Sequence, residues 1–410
     1  MNSKELFSLA LNIAEPWYIK DVEMSVPVGK LIGQIDIYID FTCGYKFKDK
    51  NGIETTAHDT VQREWRHLNL FQHECYIHAR VPRIKTEGQG IQIVQVPWAR
   101  GGSGFTLLFE ALSMLLIESE MPVKQAAKVV GEHDTRVWRI FHYWISRAFN
   151  ADDQTGIKSL GFDETSKSKG HNYVTTAVDM DLKRVIFATP GKDAETIVRV
   201  KKHLEKKGCD TSGIKEVCID MSPAFISGVS SNFPNANITF DKFHITKVIN
   251  EAMDNLRKAE RKEIEELKGH KYLFLKKDKD LSNEQKEYKF HFLTSYPKLG
   301  EGYRLKELFN DFWDFKDADK AAGYLSYWCD IAEDSMIQPF IKAAATIKGH
   351  WSGIINYFKS GLNNGILEGI NSKIQLAKKR ARGYRNTYNF INMIYFIAGK
   401  LKFDYPLYLA

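Results

Sequence analysis

The chain has 410 residues, a formal net charge of +7, and 43% hydrophobic and 27% charged residues. That length holds two to four domains around sizeable cores, and the composition is ordinary for a globular protein. The mild basic excess leaves any nucleic-acid footprint to local clusters, and the five scattered cysteines, with no CxxC pair, exclude a disulfide scaffold and fit a reduced intracellular protein.

Residues 1–100 read as short strands and turns. "GQIDIYIDFTCGYKF" and "IQIVQVPW" alternate apolar and polar residues, which predicts a small β-rich module. "ARGGSG" at 99–104 is a glycine-rich break and a domain boundary. Over 101–152 two short amphipathic helices are expected. Val123, Ala126, Ala127 and Val130 share one face; Val137, Ile140, Phe141 and Trp144 repeat the spacing after a turn at Gly131, with Asp134 as the expected cap. This pattern suits a helix-turn-helix, with Arg136, Arg139 and Tyr143 off the apolar stripe and facing DNA; it also suits a plain helical hairpin. The stretch from Phe105 to Ile117 is interrupted by Glu110, and no apolar run reaches the roughly 18 residues of a membrane span. The N-terminus lacks a secretion-signal pattern, so a soluble, cytoplasmic protein is expected.

From 159 the period changes. "SLGFDE", "YVTTAVDM" and "RVIFATP" read as three strands, followed by a helix ended by Gly208, the strand "KEVCID", the helix "AFISGVSSNF" and the strand "ANITF". The order β-β-β-α-β-α-β implies a mixed sheet covered by helices. Residues 242–360 read as helical.

Asp163 and Asp220 are expected at the ends of two of these strands, where sites gather in sheets with parallel neighbours. Paired carboxylates there suit a hard cation such as Mg²⁺. Glu368 opens a helix with the buried stripe Leu367, Ile370, Ile374 and Ala377, and precedes Lys373, Lys378, Lys379, Arg380, Arg382 and Arg385. Two readings stand: a third metal ligand backed by phosphate-binding bases, or a solvated basic helix with a dipole-complementing glutamate. Asp241 and His244 either support the site or form a helix cap with a packed histidine. Trp351 either stacks on an extruded base or belongs to the core.

"GFDETSKSKGHNYVTTAVD", "CIDMSPAFISGV", "ITFDKFHITKVIN" and "NNGILEGINSKIQLAKKRARGYRNTYNF" resemble, in order, the motif blocks of bacterial insertion-sequence DDE transposases of the ISL3 family. "HARVPRI", "VPWAR" and "SGFT" resemble its N-terminal landmarks. The resemblance implies an α/β, RNase H-like catalytic core over 153–250 and 356–410, with a helical insertion over 251–355. A β-rich, degenerate zinc-ribbon-like module over 1–100 and the helix-turn-helix would precede it. It implies Asp163, Asp220 and Glu368 as catalytic ligands of Mg²⁺ or Mn²⁺. Implied partners are double-stranded DNA of the element's terminal repeats and of the target, bound by a homodimer or larger oligomer at the bacterial nucleoid, with no membrane. The rival readings are a catalytically silent DNA-binding regulator and an RNase H-like nuclease. The family's two CxxC-like knuckles are departed from here: Asp40 stands beside Cys43, and Thr86 and Gln89 replace the second pair. The expectation is a module without structural zinc.

Overall fold

The computed structural model describes residues 3–49, 51–86, 90–168, 172–276, 280–362 and 365–405. Gln89 lies outside them. The chain divides into two compact units, Met1–Asn150 with Lys402–Ala410, and Ala151–Leu401.

The first unit opens with a helix, α1 (Ser3–Ala10), where only strands and turns were expected. Phe7 and Leu11, one turn apart, pack on the apolar face of a five-stranded sheet, which outweighs the segment's polar character. That sheet holds β1 (Trp17–Ser25), β2 (Gln34–Phe41), β5 (Asp59–Leu70), β6 (His73–Thr86) and β7 (Gly90–Ile93); β3 (Phe47–Lys48) pairs with β4 (Glu54–Thr55) separately. Ile35, Ile37 and Ile39 on β2 and Cys75, Ile77 and Ala79 on β6 point to one buried face with Trp17, Phe41, Phe47, Trp65 and Trp98. The alternation in the sequence is this two-residue period. The pairing of β7 with β6 ends at Ile93, but the alternation runs on, with Val96 and Trp98 buried in the core.

Helices α2 (Leu107–Glu118), α3 (Val123–Val129) and α4 (Asp134–Ala151) follow. Gly131, at φ +73°, makes the turn between α3 and α4. His133, rather than Asp134, flanks the helix start: its Nδ1 accepts from Thr135 N at 3.3 Å. Glu110, which breaks the apolar run, is wholly buried and accepts from Arg100, Ser103 and Trp144 at 2.9, 2.6 and 2.9 Å. Satisfied on both oxygens, it ties the "VPWAR" and "SGFT" segments to α2 and α4.

The second unit is built on the sheet β10-β9-β8-β11-β12. β8 (Ser159–Ser168), β9 (Asn172–Asp179) and β10 (Arg184–Pro190) form an antiparallel meander; β11 (Glu216–Ile219) and β12 (Asn237–Phe240) run parallel to β8 on its other side. Asp179 makes the β9–β10 turn by accepting from the N–H groups of Asp181 and Leu182. α5 (Ala194–Lys206) and α6 (Pro223–Asn232) cover the face that carries Leu160 and Phe162, Phe162 meeting Phe225 and Phe233.

After β12 come α7 (Lys242–Glu260), α8 (Lys271–Leu275), α9 (Asn283–Ser295), α10 (Pro297–Asp311), α11 (Ala318–Asp334), α12 (Gln338–Gly349), α13 (Trp351–Ser360), α14 (Gly365–Arg380) and α15 (Thr387–Ala398). The core of α7–α13 is continuous with that of the sheet, and half-buried Trp351 packs against it. α13 returns to β12: Asn356 donates to Thr239 Oγ1 and Glu216, and Gly353 lies where a Cβ would meet the Phe240 ring at 2.5 Å.

Candidate active site

Side chains alternate along β8, so Gly161, Asp163 and Thr165 share the face opposite Leu160 and Phe162. α14 lies on that face. Gly161 permits it: a Cβ there would stand 2.9 Å from Leu367 and 2.5 Å from Met180 Sδ. Asn371 Nδ2 donates to Asp163 Oδ2 at 2.6 Å, Gln375 Nε2 to Thr165 Oγ1 at 2.8 Å and Lys378 Nζ to the Ser166 carbonyl at 2.5 Å. The first two rungs are commensurate: four helical residues advance about 6 Å and two strand residues about 6.6 Å.

Asp163 is not the last residue of its strand, as expected, since β8 runs on to Ser168. It does stand just past the parallel pairing of β8 with β11, which ends at Cys218↔Gly161. Two steps further in that register Asp220 is level with Asp163. One step past Ile219↔Phe240, Asp220 is level with Asp241. Three neighbouring strands thus each deliver an aspartate to one edge.

Local turns aim these groups. Asp220 Oδ1 accepts from Ser222 N at 2.9 Å, and Pro223 begins α6. Asp241 caps α7 by accepting from Phe243 N at 2.8 Å, and its other oxygen bonds His244 Nδ1 at 2.8 Å. The helix-cap reading of Asp241 is what the structure shows, with His244 bonded to the capping carboxylate.

The electrostatics follow from this crowding. Burial chiefly, with the charges of Asp241 and Asp220, pushes Asp163 up to about 6 against the pull of the Glu164 N–H and His244. Burial, then Asp220, raises Glu164 as well. The bond to Asp241 raises His244, and the charges of Asp220 and Asp163 add to it. Glu164, on the opposite face of the strand, is thus coupled to the site.

Glu368 is brought near on α14, one turn before Asn371, but its side chain is exposed. Among the described residues no three His, Cys, Asp or Glu side chains are gathered as a metal-binding group. The donor chemistry nevertheless fits a hard divalent cation: the edge offers carboxylate oxygens, and Asn371 Oδ1 is buried beside them without a hydrogen-bond partner. Asn371 and Gly161 were missed from the sequence. Their signal was present in the "LEGIN" and "GFDE" blocks, where a small residue and an amide sit beside the carboxylates.

Three of the residues expected to face DNA have partners within the protein. Lys378 donates to Ser166. Arg136 pairs with Glu132 at 2.7 Å and lies over the Phe105 ring at 4.4 Å. Tyr143 sits under Arg100, 3.7 Å from its ring centre. Arg139, Lys373, Lys379, Arg380, Arg382 and Arg385 are exposed. α14 ends at Arg380, and Arg382 and Gly383 have positive φ, so the last bases leave the helix axis.

At the ribbon-like module, Asp40 is buried and its Oδ1 takes Arg80 Nε and Nη2, both at 3.0 Å; Arg80 also covers the Phe41 ring at 5.3 Å. Cys43 is exposed. With the aspartate already neutralised by an arginine, these residues do not fit a structural zinc site.

Residues 160–394 match the family model of ISL3 DDE transposases, residues 94–145 that of the helix-turn-helix domain of transposase family ISL3, and residues 54–85 that of the zinc-finger of transposase IS204/IS1001/IS1096/IS1165. A helix-turn-helix domain followed by a DDE transposase domain marks a transposase of an insertion sequence. The transposase match spans more than half of the chain, and the chain belongs to the ISL3 family. The transposase for insertion sequence element IS1557 of Mycobacterium tuberculosis is 27% identical over 359 residues, 79% of each chain. That for insertion sequence element IS1001 of Bordetella parapertussis is 26% identical over 340 residues, 80% of this chain and 83% of the relative. A chain of a simian T-cell lymphotropic virus intasome in complex with PP2A regulatory subunit B56 gamma aligns at 14% identity over 44% of this chain and 67% of that one. Its TM-score is 0.17, too low to bear on the fold.

Proposed function

We propose that this transposase binds the terminal repeats of its element and carries out divalent-metal-dependent strand cleavage and strand transfer at Asp163, Asp220 and Glu368. The observation that carries the reading is the crowding of Asp163, Asp220 and Asp241 at one sheet edge, with Asp163 held near 6. Carboxylates bunched in this way disfavour their own ionised forms and favour a cation. The strand order, a three-strand meander joined to two parallel strands, supports an RNase H-like core.

Two divalent cations, when bound, supply the charge that stabilises the attacking and leaving oxygens of a phosphoryl transfer. Asp163 and Asp220 would hold them from the sheet, and Glu368 from α14. His244, oriented by Asp241, faces the same edge and balances part of its negative charge. The exposed Lys373, Lys379, Arg380, Arg382 and Arg385 would carry the DNA backbone, and Arg139 on α4 would read base edges. The ribbon-like module would fold without zinc, on its aromatic core and the Asp40–Arg80 pair. Assembly as a dimer or larger oligomer on two element ends, at the nucleoid, completes the reading.

The test is cleavage and joining of labelled element ends with Mg²⁺ or Mn²⁺ against a chelated control. Binding of ends without metal-dependent cleavage would leave a DNA-binding regulator. Cleavage without joining would leave a nuclease.

A further inference from the structure

We propose that Asn371 is a positioning residue that presets the Asp163 carboxylate for cation capture and ties it to the helix carrying Glu368. The inference rests on the metal-dependent reading above.

Both oxygens of Asp163 are held: Oδ1 by the Glu164 N–H at 2.7 Å, Oδ2 by Asn371 Nδ2 at 2.6 Å. Two donors on the two oxygens fix the carboxylate plane. An amide suits this post. A lysine would neutralise Asp163 and compete with a cation. An aspartate would add another charge to an edge that already raises Asp163 through Asp220 and Asp241. Asn371 donates without doing either.

The other end of the amide is the second observation. Asn371 Oδ1 is buried with no hydrogen-bond partner. Buried acceptors are costly to leave unmade, and native structures keep few. An orphaned acceptor beside a carboxylate cluster fits a donor that arrives with the ligand, such as the hydration water of a hard cation, which gives up its water reluctantly. Position supplies the coupling. Asn371 lies one turn after Glu368, on a helix also fastened by Leu367 against Gly161 and Gln375 on Thr165.

The test uses the full chain and Mn²⁺ alone as the probe, with binding followed by electron paramagnetic resonance without DNA, and cleavage measured across Mn²⁺ concentrations. Asn371→Ala is expected to weaken Mn²⁺ binding tenfold or more. The Mn²⁺ needed for half-maximal cleavage should rise to match, and the rate at saturating Mn²⁺ should fall much less. Gln375→Ala removes a neighbouring rung that does not touch a carboxylate. It should lower the melting temperature comparably but leave Mn²⁺ affinity within twofold. Unchanged Mn²⁺ binding in Asn371→Ala overturns the inference, as do equal losses in the two variants, which would make Asn371 a helix-docking residue only. Failure of the underlying metal reading looks different: the unaltered protein itself would bind no Mn²⁺.

Discussion

Two aspartates on apolar strands have opposite surroundings. Asp40 closes β2 with an arginine laid across it. Asp163 is raised by Asp220 and Asp241, receives neutral donors from Asn371 and the Glu164 N–H, and is drawn down by His244. The first carboxylate is paired with an arginine of its own chain. The second sits beside two further aspartates, whose charges add to burial in raising it. A carboxylate at a strand end therefore says little by itself; what stands on the adjoining strand or helix decides whether it is a brace or a ligand.

The sharpest break of this contrast is chemical. Asp163→Asn, Asp220→Asn and Glu368→Gln should each lower end cleavage at least ~10³-fold while DNA binding survives, because a lost ligand charge weakens the cation and misplaces the nucleophile. Near-normal cleavage by Glu368→Gln would remove the exposed glutamate from the site.

At the other aspartate the expected effect is on stability. Arg80→Met leaves Asp40 buried without its cation and should cost about 1–3 kcal/mol, reduced from a fully buried pair because Arg80 is partly exposed. Asp40→Asn on top of it should recover part of the loss. Elemental analysis of the unaltered protein should find well under one zinc per chain, and a chelator should leave its melting temperature in place. Stoichiometric zinc would erase the contrast.

A third measurement turns on sign. Asp163 is raised to about 6 in the folded chain, against about 3.9 when unfolded. The folded state therefore holds this proton more tightly. The contribution to stability is greatest below about pH 4, falls as pH rises from 4 to 6, and is level above. In metal-free protein at pH 7, Asp163→Asn should stabilise by about 1–2 kcal/mol, discounted for partial exposure. Added Mn²⁺ should raise the melting temperature of the unaltered protein and not of this variant. Chemical denaturation at pH 4 and pH 7 checks both.

The smallest effect separates committed bases from free ones. Neutralising Arg382 and Arg385 should weaken binding to specific and unrelated DNA alike and reduce the slope of log K against log salt by roughly 2. Lys378→Met should barely change that slope, because its ammonium is spent on Ser166. Arg139→Ala should hurt specific ends more than unrelated DNA.

Period and turn chemistry were readable in the sequence because they are local. The two-residue alternation of β2, the helical stripe of α14, the turn at Gly131, and the carboxylates in their motif blocks are properties of a few consecutive residues. α1 escaped because its helix depends on a sheet it meets only after folding. Arg136 and Lys378 looked like DNA contacts because a sequence shows a charge and not its partner: Glu132 and the Ser166 carbonyl take them up. The partnership of Asn371 with Asp163 joins residues 208 positions apart and follows from matching the rise of a helix to that of a strand. So the sequence by itself determined which segments form strands and helices, which residues carry charge and which family the chain resembles. Only the tertiary structure decided which charges are paired with an opposite charge, as at Asp40, and which are crowded by like charges, as at Asp163. Charge balance and desolvation depend on what lies a few ångströms away in space, and the chain brings those neighbours from far along its length.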